Sequence, residues 1–217
     1  MGLAGRRLVA IVFDLDGTLI DSKVVVPDAY IAAVQRAGGP TYSREQVIQA
    51  YPLGPPPAIL THLLGRPCRT AETEVYHDCL TQTAHTVGVY PGVRETLFAL
   101  ERLVPAAVFT GATLRACSIL LEGTGLRSHF SALVGADEVA RPKPSPDGVL
   151  LACERLGAPV TSVAYVGDSS LDMEAARRCG VLAVAAGWGH LYDANTFADR
   201  VLNWPQELVT LLLGRTE

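Results

Sequence analysis

Lysine is nearly missing from this chain. Of its 18 basic residues only Lys23 and Lys143 are lysines, and the other sixteen are arginines. Each lysine therefore raises the question of why arginine would not serve. Charge is sparse as a whole, at 18 % of residues against roughly a quarter in ordinary domains. Positive charge is not in excess either. The formal net charge is −4, which gives no basic field for nucleic acid or an anionic membrane surface. No apolar run approaches the ~20 residues of a membrane-spanning helix. Residues 8–13 are apolar, but Asp14 stops the run and no small-residue cleavage site follows, so a secretory signal is not expected. CxxC pairs are lacking too. Cysteines 68, 79, 117, 153 and 179 are odd in number and widely spaced, which predicts reduced thiols in a cytoplasmic protein and neither a disulfide framework nor a zinc site.

What is present is core material. Apolar residues make up 49 % of 217 positions, a length that suits one core carrying a sizeable insertion. Short apolar, β-branched runs recur at 8–13, 106–109, 132–134, 163–166, 181–185 and 201–202. Fully buried strands of a parallel sheet read this way. Helical segments at 93–103, 114–122, 146–156 and 171–178 separate them, three of which stop at Gly123, Gly157 and Gly180. The alternation predicts an α/β fold, a Rossmann-like doubly wound parallel sheet. Residues 21–88 break it. They read as helices only, at 28–37, 43–51, 58–64 and 71–87, with YPLGPPP at 51–57 as a stiff turn. The expected division is a core of residues 1–20 and 89–217 and an all-helical cap of residues 21–88.

Four features fall at predicted strand ends, where open α/β sheets bind ligands. The first strand ends in DLDGT at 14–18, whose Asp14 and Asp16 would share one face of an extended chain. Gly17 lets the chain turn away sharply. The second ends in Phe109-Thr110-Gly111, a hydroxyl followed by a glycine that a ligand can approach. Lys143 lies in the rigid segment RPKPSP at 141–146, and GDSSLD at 167–172 carries Asp168 and Asp172. Singly, each could be a turn, a helix cap or a solvated loop. Together, in this order, they make a constellation.

That constellation resembles the four motifs of the haloacid-dehalogenase superfamily of aspartyl phosphotransferases. The likeness covers essentially the whole chain, and the helical insertion resembles the C1-type cap of its phosphoglycolate phosphatase-like and β-phosphoglucomutase-like subgroup. The charges fit the chemistry. Four aspartates bring −4 if all ionise and Lys143 returns +1, so a phosphate dianion needs a divalent cation there, and oxygen-rich sites suit Mg²⁺. The resemblance implies Asp14 as nucleophile and Asp16 as general acid and then base. It implies a Mg²⁺ site from Asp14, Asp16 through its backbone carbonyl, Asp168 and Asp172. Gly17, Thr110, Gly111 and Lys143 would bind the transferring phosphoryl group. Gly54, in the 51–57 turn, matches the subgroup's substrate loop, and Lys23, Arg66 and Arg69 are cap cations with a candidate role in binding. Residues 21–88 hold five cations (Lys23, Arg36, Arg44, Arg66, Arg69) and six acids (Asp21, Asp28, Glu45, Glu72, Glu74, Asp78), so the cap is not a basic lid. His62, His77 and His85 have no ligand spacing. Trp188 is expected either at the pocket rim or in the core.

The expected activity is Mg²⁺-dependent hydrolysis of a small phosphate monoester by a monomer or homodimer, with neither nucleic acid nor membrane as partner. A dehalogenase or phosphonatase would depart at Asp16. A phosphomutase commonly carries a glutamate where this chain has Gly167. A phospho-receiver domain lacks both the insertion and the DxDGT motif, and a non-catalytic descendant would not need the complete acid, base and metal set.

Overall fold

The computed structural model describes residues 7–214, so the outermost residues of the two expected core segments, 1–6 and 215–217, lie outside the described residues. In chain order the elements begin with β1 (Ala10–Phe13), β2 (Ile20–Asp21), α1 (Val25–Arg36), α2 (Arg44–Gln49), α3 (Pro56–Leu64) and α4 (Thr70–Thr83). They continue with β3 (Gly88–Val89), α5 (Val93–Leu100), β4 (Ala106–Phe109), α6 (Leu114–Gly123), β5 (Ala132–Val134) and α7 (Asp147–Leu156). β6 (Val163–Gly167), α8 (Ser170–Cys179), β7 (Leu182–Ala186), β8 (Arg200–Leu202) and α9 (Glu207–Leu212) complete the order.

Six strands form one parallel sheet in the order β5-β4-β1-β6-β7-β8. The chain begins at the centre and winds outward to both edges, which is the expected doubly wound α/β fold. β1 is buried along its whole length, and its side chains alternate between two cores. Ile11 and Phe13 join a cluster with Leu97 of α5, Leu120 of α6 and Leu208 of α9. Ala10 and Val12 join a second cluster with Val149 and Ala152 of α7 and Met173 of α8. Both faces are therefore covered, and burying a side chain of Ile or Phe size contributes roughly 1.5–3 kcal/mol.

The helices α1–α4 pack as one module onto the first cluster through Tyr30, Val47, Leu60 and Tyr76. α1 starts three residues earlier than the sequence suggests. Pro27 sits in its first turn, where the backbone N–H has no helical partner to lose. α2 opens with the Ser43–Gln46 capping box expected from the sequence. α4 ends at Thr83 and passes into a short 3-10 turn, Ala84–Thr86. No apolar run or alternation marks β2 and β3. These two-residue strands pair antiparallel, Ile20 with Val89 and Asp21 with Gly88, where the chain leaves and re-enters the sheet domain. The expected borders at 20/21 and 88/89 fall inside this ladder. α9 leaves no mark in the sequence either, because its six residues are too few for helical periodicity to show.

Candidate active site

The DLDGT segment follows β1 directly. Asp14 is 6 % exposed at the carboxyl edge of the sheet. Gly17 then turns the chain with φ +88°, a conformation that favours glycine, and a Cβ there would lie 2.2 Å from Asp168 Oδ2. The turn closes with Gly17 N donating to Ile20 O at 2.9 Å, and Trp188 Nε1 clamps it by donating to Thr18 O at 2.9 Å. Trp188 thus braces the motif from its partly buried place against the core.

Lys143 reaches in from the loop before α7. Its Nζ lies 2.5 Å from Asp14 Oδ1 and 2.7 Å from Asp172 Oδ1. Rings of Phe109 and Tyr165 lie beneath the ammonium, with centroids 5.0 and 5.6 Å away. Asp172 is 1 % exposed in the first turn of α8, and both its oxygens are engaged. Oδ1 accepts from Tyr165 OH at 2.8 Å as well as from Lys143, and Oδ2 accepts from Ser169 N at 3.0 Å and Ser169 Oγ at 2.5 Å. Asp168, at the end of β6, accepts from Leu191 N at 2.9 Å through Oδ2. Its Oδ1 is buried with no hydrogen-bond partner among the described residues.

Asp16 accepts from Ser22 Oγ at 2.5 Å through Oδ1, while Thr110 Oγ1 lies 3.5 Å from its Oδ2. Ser22 has no motif to announce it. It reaches Asp16 only because the chain reverses between them, and the same holds for Tyr165 under Asp172. Thr110 is fully buried at the end of β4 and accepts from Ala112 N at 3.1 Å. Gly111 beside it faces open space.

The electrostatics follow from burial. Asp14 is held well above the usual carboxylate range, first by burial and then by Asp172, Asp168 and Asp16, against the pull of Lys143. Burial raises Asp16 as well, against Ser22 and Lys143. Asp168 is pushed up to about 7, again chiefly by burial. Burial would raise Asp172 too, but Lys143, Ser169 and Tyr165 outweigh it and hold its carboxyl low. Burial would lower Lys143, and the two carboxylates beside it hold it above its ordinary value instead. Too much negative charge for one ammonium is thus gathered in a dry place.

A divalent cation would resolve that conflict. Asp14, Asp168 and Asp172 each offer an oxygen within 4.8 Å of the others, and the unpartnered Asp168 Oδ1 is the donor most in need of a ligand. Hard carboxylate oxygens suit Mg²⁺. The side chain of Asp16 stands outside this trio, on the Ser22 side.

Above the carboxylates a cavity of about 250 Å³ opens between sheet and cap. Asp14, Asp16, Gly111 and Lys143 bound its lower end, and Gly54 lies in its wall. Gly54 adopts φ +119° after the Tyr51–Leu53 turn, again glycine's territory. Lys23 is not among the described lining residues; it lies 3.2 Å from Asp21 on the surface. Arg66 is paired with Glu72, and Arg69, His62 and His85 are exposed. His77 is buried, with Nε2 3.0 Å from Thr113 Oγ1 at the start of α6.

Known proteins share this architecture. A profile of haloacid dehalogenase-like hydrolases matches residues 11–186. The chain is 36 % identical over 222 residues to a phosphoglycolate phosphatase of Chromobacterium violaceum, covering 95 % of this chain and 97 % of that one. It is 30 % identical to an N-acetylmuramic acid 6-phosphate phosphatase of Pseudomonas aeruginosa, with 95 % of each chain covered. The fold of CbbY from Rhodobacter sphaeroides, crystallised with phosphate, superposes with a TM-score of 0.79 at 22 % identity, over 93 % of this chain and 96 % of that one. The chain belongs to the haloacid dehalogenase-like hydrolases.

Proposed function

We propose that this chain is a Mg²⁺-dependent phosphomonoesterase that works through a phosphoaspartate on Asp14, with residues 21–88 as a cap over the site. The observation that carries the reading is the pairing of Asp14 and Lys143 at the floor of a cavity, beside a carboxylate trio with one unpartnered oxygen. The names of the Chromobacterium and Pseudomonas relatives support it, since both denote phosphatases.

Mg²⁺, held by Asp14, Asp168 and the backbone carbonyl of Asp16, would supply positive charge to the phosphoryl oxygens. Asp172, with both oxygens engaged, fits better as the residue that aims Lys143. In the first step an Asp14 carboxylate oxygen bonds to phosphorus as the bond from phosphorus to the ester oxygen breaks. Asp16 gives its proton to that leaving oxygen. Lys143 and the Thr110–Gly111 turn receive the remaining phosphoryl oxygens. In the second step Asp16 takes a proton from water, whose oxygen attacks phosphorus and releases Asp14 and inorganic phosphate. The cap shields the site from bulk water.

Hydrolysis is favoured over transfer to a second substrate by the packing at Gly167. A Cβ there would lie 2.5 Å from Asp172 Cβ, so the glutamate common in the mutase subgroup has no room.

Phosphate release from p-nitrophenyl phosphate tests the reading. Activity should require Mg²⁺, and Asp14→Asn should lower it about a thousandfold or more. Turnover by purified Asp14→Asn at the wild-type rate would sink the assignment.

A further inference from the structure

The upper part of the cavity has a chemistry of its own. Above the carboxylates its wall is built from Val26 and Tyr30 of α1, Ile48 of α2, Ile59 of α3, Tyr76 of α4 and Leu120 of α6. Lys143 is the one cation among the described lining residues, and Asp14 and Asp172 already share it. The cap's cations are spent elsewhere. Lys23 pairs with Asp21, Arg44 with Asp28 and Arg66 with Glu72, while Arg36 and Arg69 are exposed. Tyr51 adds a hydroxyl with no partner among the described residues, enough for one polar substituent on a ligand.

From this wall, and resting on the phosphatase reading above, we propose that the preferred substrate is the phosphate monoester of an uncharged, largely apolar alcohol, with a leaving group about the size of one ring. Two arguments converge. A leaving group that carries a carboxylate, as in phosphoglycolate, would set a second anion against tyrosine and aliphatic side chains. No cation there could receive it, and its desolvation would go uncompensated. An apolar leaving group instead releases water from the same surface, at roughly 25 cal/mol per Å². Size points the same way. The cavity of about 250 Å³ is smaller than the roughly 300–1,000 Å³ of drug-sized sites, and about 150 Å³ suffices for a benzene ring. A ring and a phosphoryl group fill it, while a long or highly hydroxylated leaving group finds neither space nor partners.

The test compares benzyl phosphate with phosphoglycolate by phosphate release at saturating Mg²⁺. Both esters leave as poorly acidic alkoxides, so the ratio reads the cavity wall and not leaving-group chemistry. We expect kcat/KM to favour benzyl phosphate at least about tenfold, mostly through KM. Ile48→Arg puts a guanidinium into the wall and should cut that ratio at least about threefold. Equal or better kcat/KM for phosphoglycolate in the wild type would overturn the inference while leaving the phosphatase reading intact, and so would an unchanged ratio in a folded Ile48→Arg. No Mg²⁺-dependent release from any ester, p-nitrophenyl phosphate included, would bring down both.

Discussion

Lys143 Nζ lies between two carboxylate oxygens, 2.5 Å from Asp14 and 2.7 Å from Asp172, above two aromatic rings. All four of these side chains are buried. A compact ammonium on an unbranched stem fits that niche, and a planar guanidinium brings more atoms and a different donor direction. Lys143→Arg should therefore lower kcat about ten- to a hundredfold although charge is conserved. Near-normal phosphate release by a folded Lys143→Arg would contradict this. Asp16 carries a separate prediction. Ser22 Oγ holds Oδ1, leaving Oδ2 toward Thr110 and the cavity. A proton donor matters most when the leaving oxygen is basic. Asp16→Asn should cost about 10²–10⁴-fold with alkyl phosphates and far less with p-nitrophenyl phosphate. Equal losses across a series of leaving groups would argue against the general-acid role.

At the level of elements, what could be read in advance was what repeats locally. Parallel strands buried on both sides are unbroken apolar runs, so the strands of the sheet could be read in the sequence, and with them the edge where Asp14, Thr110 and Asp168 stand. The supports of those residues could not. Ser22, Tyr165, Trp188 and the Leu191 amide meet the motifs only through chain reversals or across strands, and no spacing encodes that. The cap hides similar ties. Between α3 and α4, Glu72 accepts from Arg66 Nη2 at 2.5 Å and from Arg69 N at 2.6 Å, fastening the connecting turn. The Arg66 hydrogen bonds, with help from the Arg69 amide, lower the Glu72 carboxyl from 4.5 to about 2. A lowered folded-state value means that the stabilisation is complete above the unfolded-state value and is lost as pH falls through the folded one. Glu72→Gln should thus lower Tm at neutral pH, and the gap to wild type should close between pH 4.5 and about 2. A gap that persists undiminished at the acid end would contradict the pairing.

Taken as a whole, the molecule gathers its reactive residues from distant parts of the chain. Lys143 and Asp14 are 129 residues apart, and the cap inserted between β2 and β3 roofs the cavity they share. α4 is fastened to α6 by His77 with Thr113 and by Glu74 with Arg115, so cap and sheet domain hold one cavity between them. Such a site charges the folded state a cost in electrostatic repulsion, because three buried carboxylates face one ammonium. A cation that binds the folded chain and not the unfolded one offsets that cost by mass action. At a hundredfold excess over Kd the gain is about 2.7 kcal/mol. For a chain of this length that corresponds to a rise in Tm of roughly 5–10 °C. Thermal unfolding followed by circular dichroism, with Mg²⁺ against a chelator, reads this without any turnover. Asp168→Asn removes the carboxylate whose Oδ1 has no partner, and it should abolish most of the Mg²⁺-dependent rise while the sheet still melts cooperatively. A wild-type Tm indifferent to Mg²⁺, or an undiminished rise in Asp168→Asn, would show that the cation does not bind at Asp14 and Asp168.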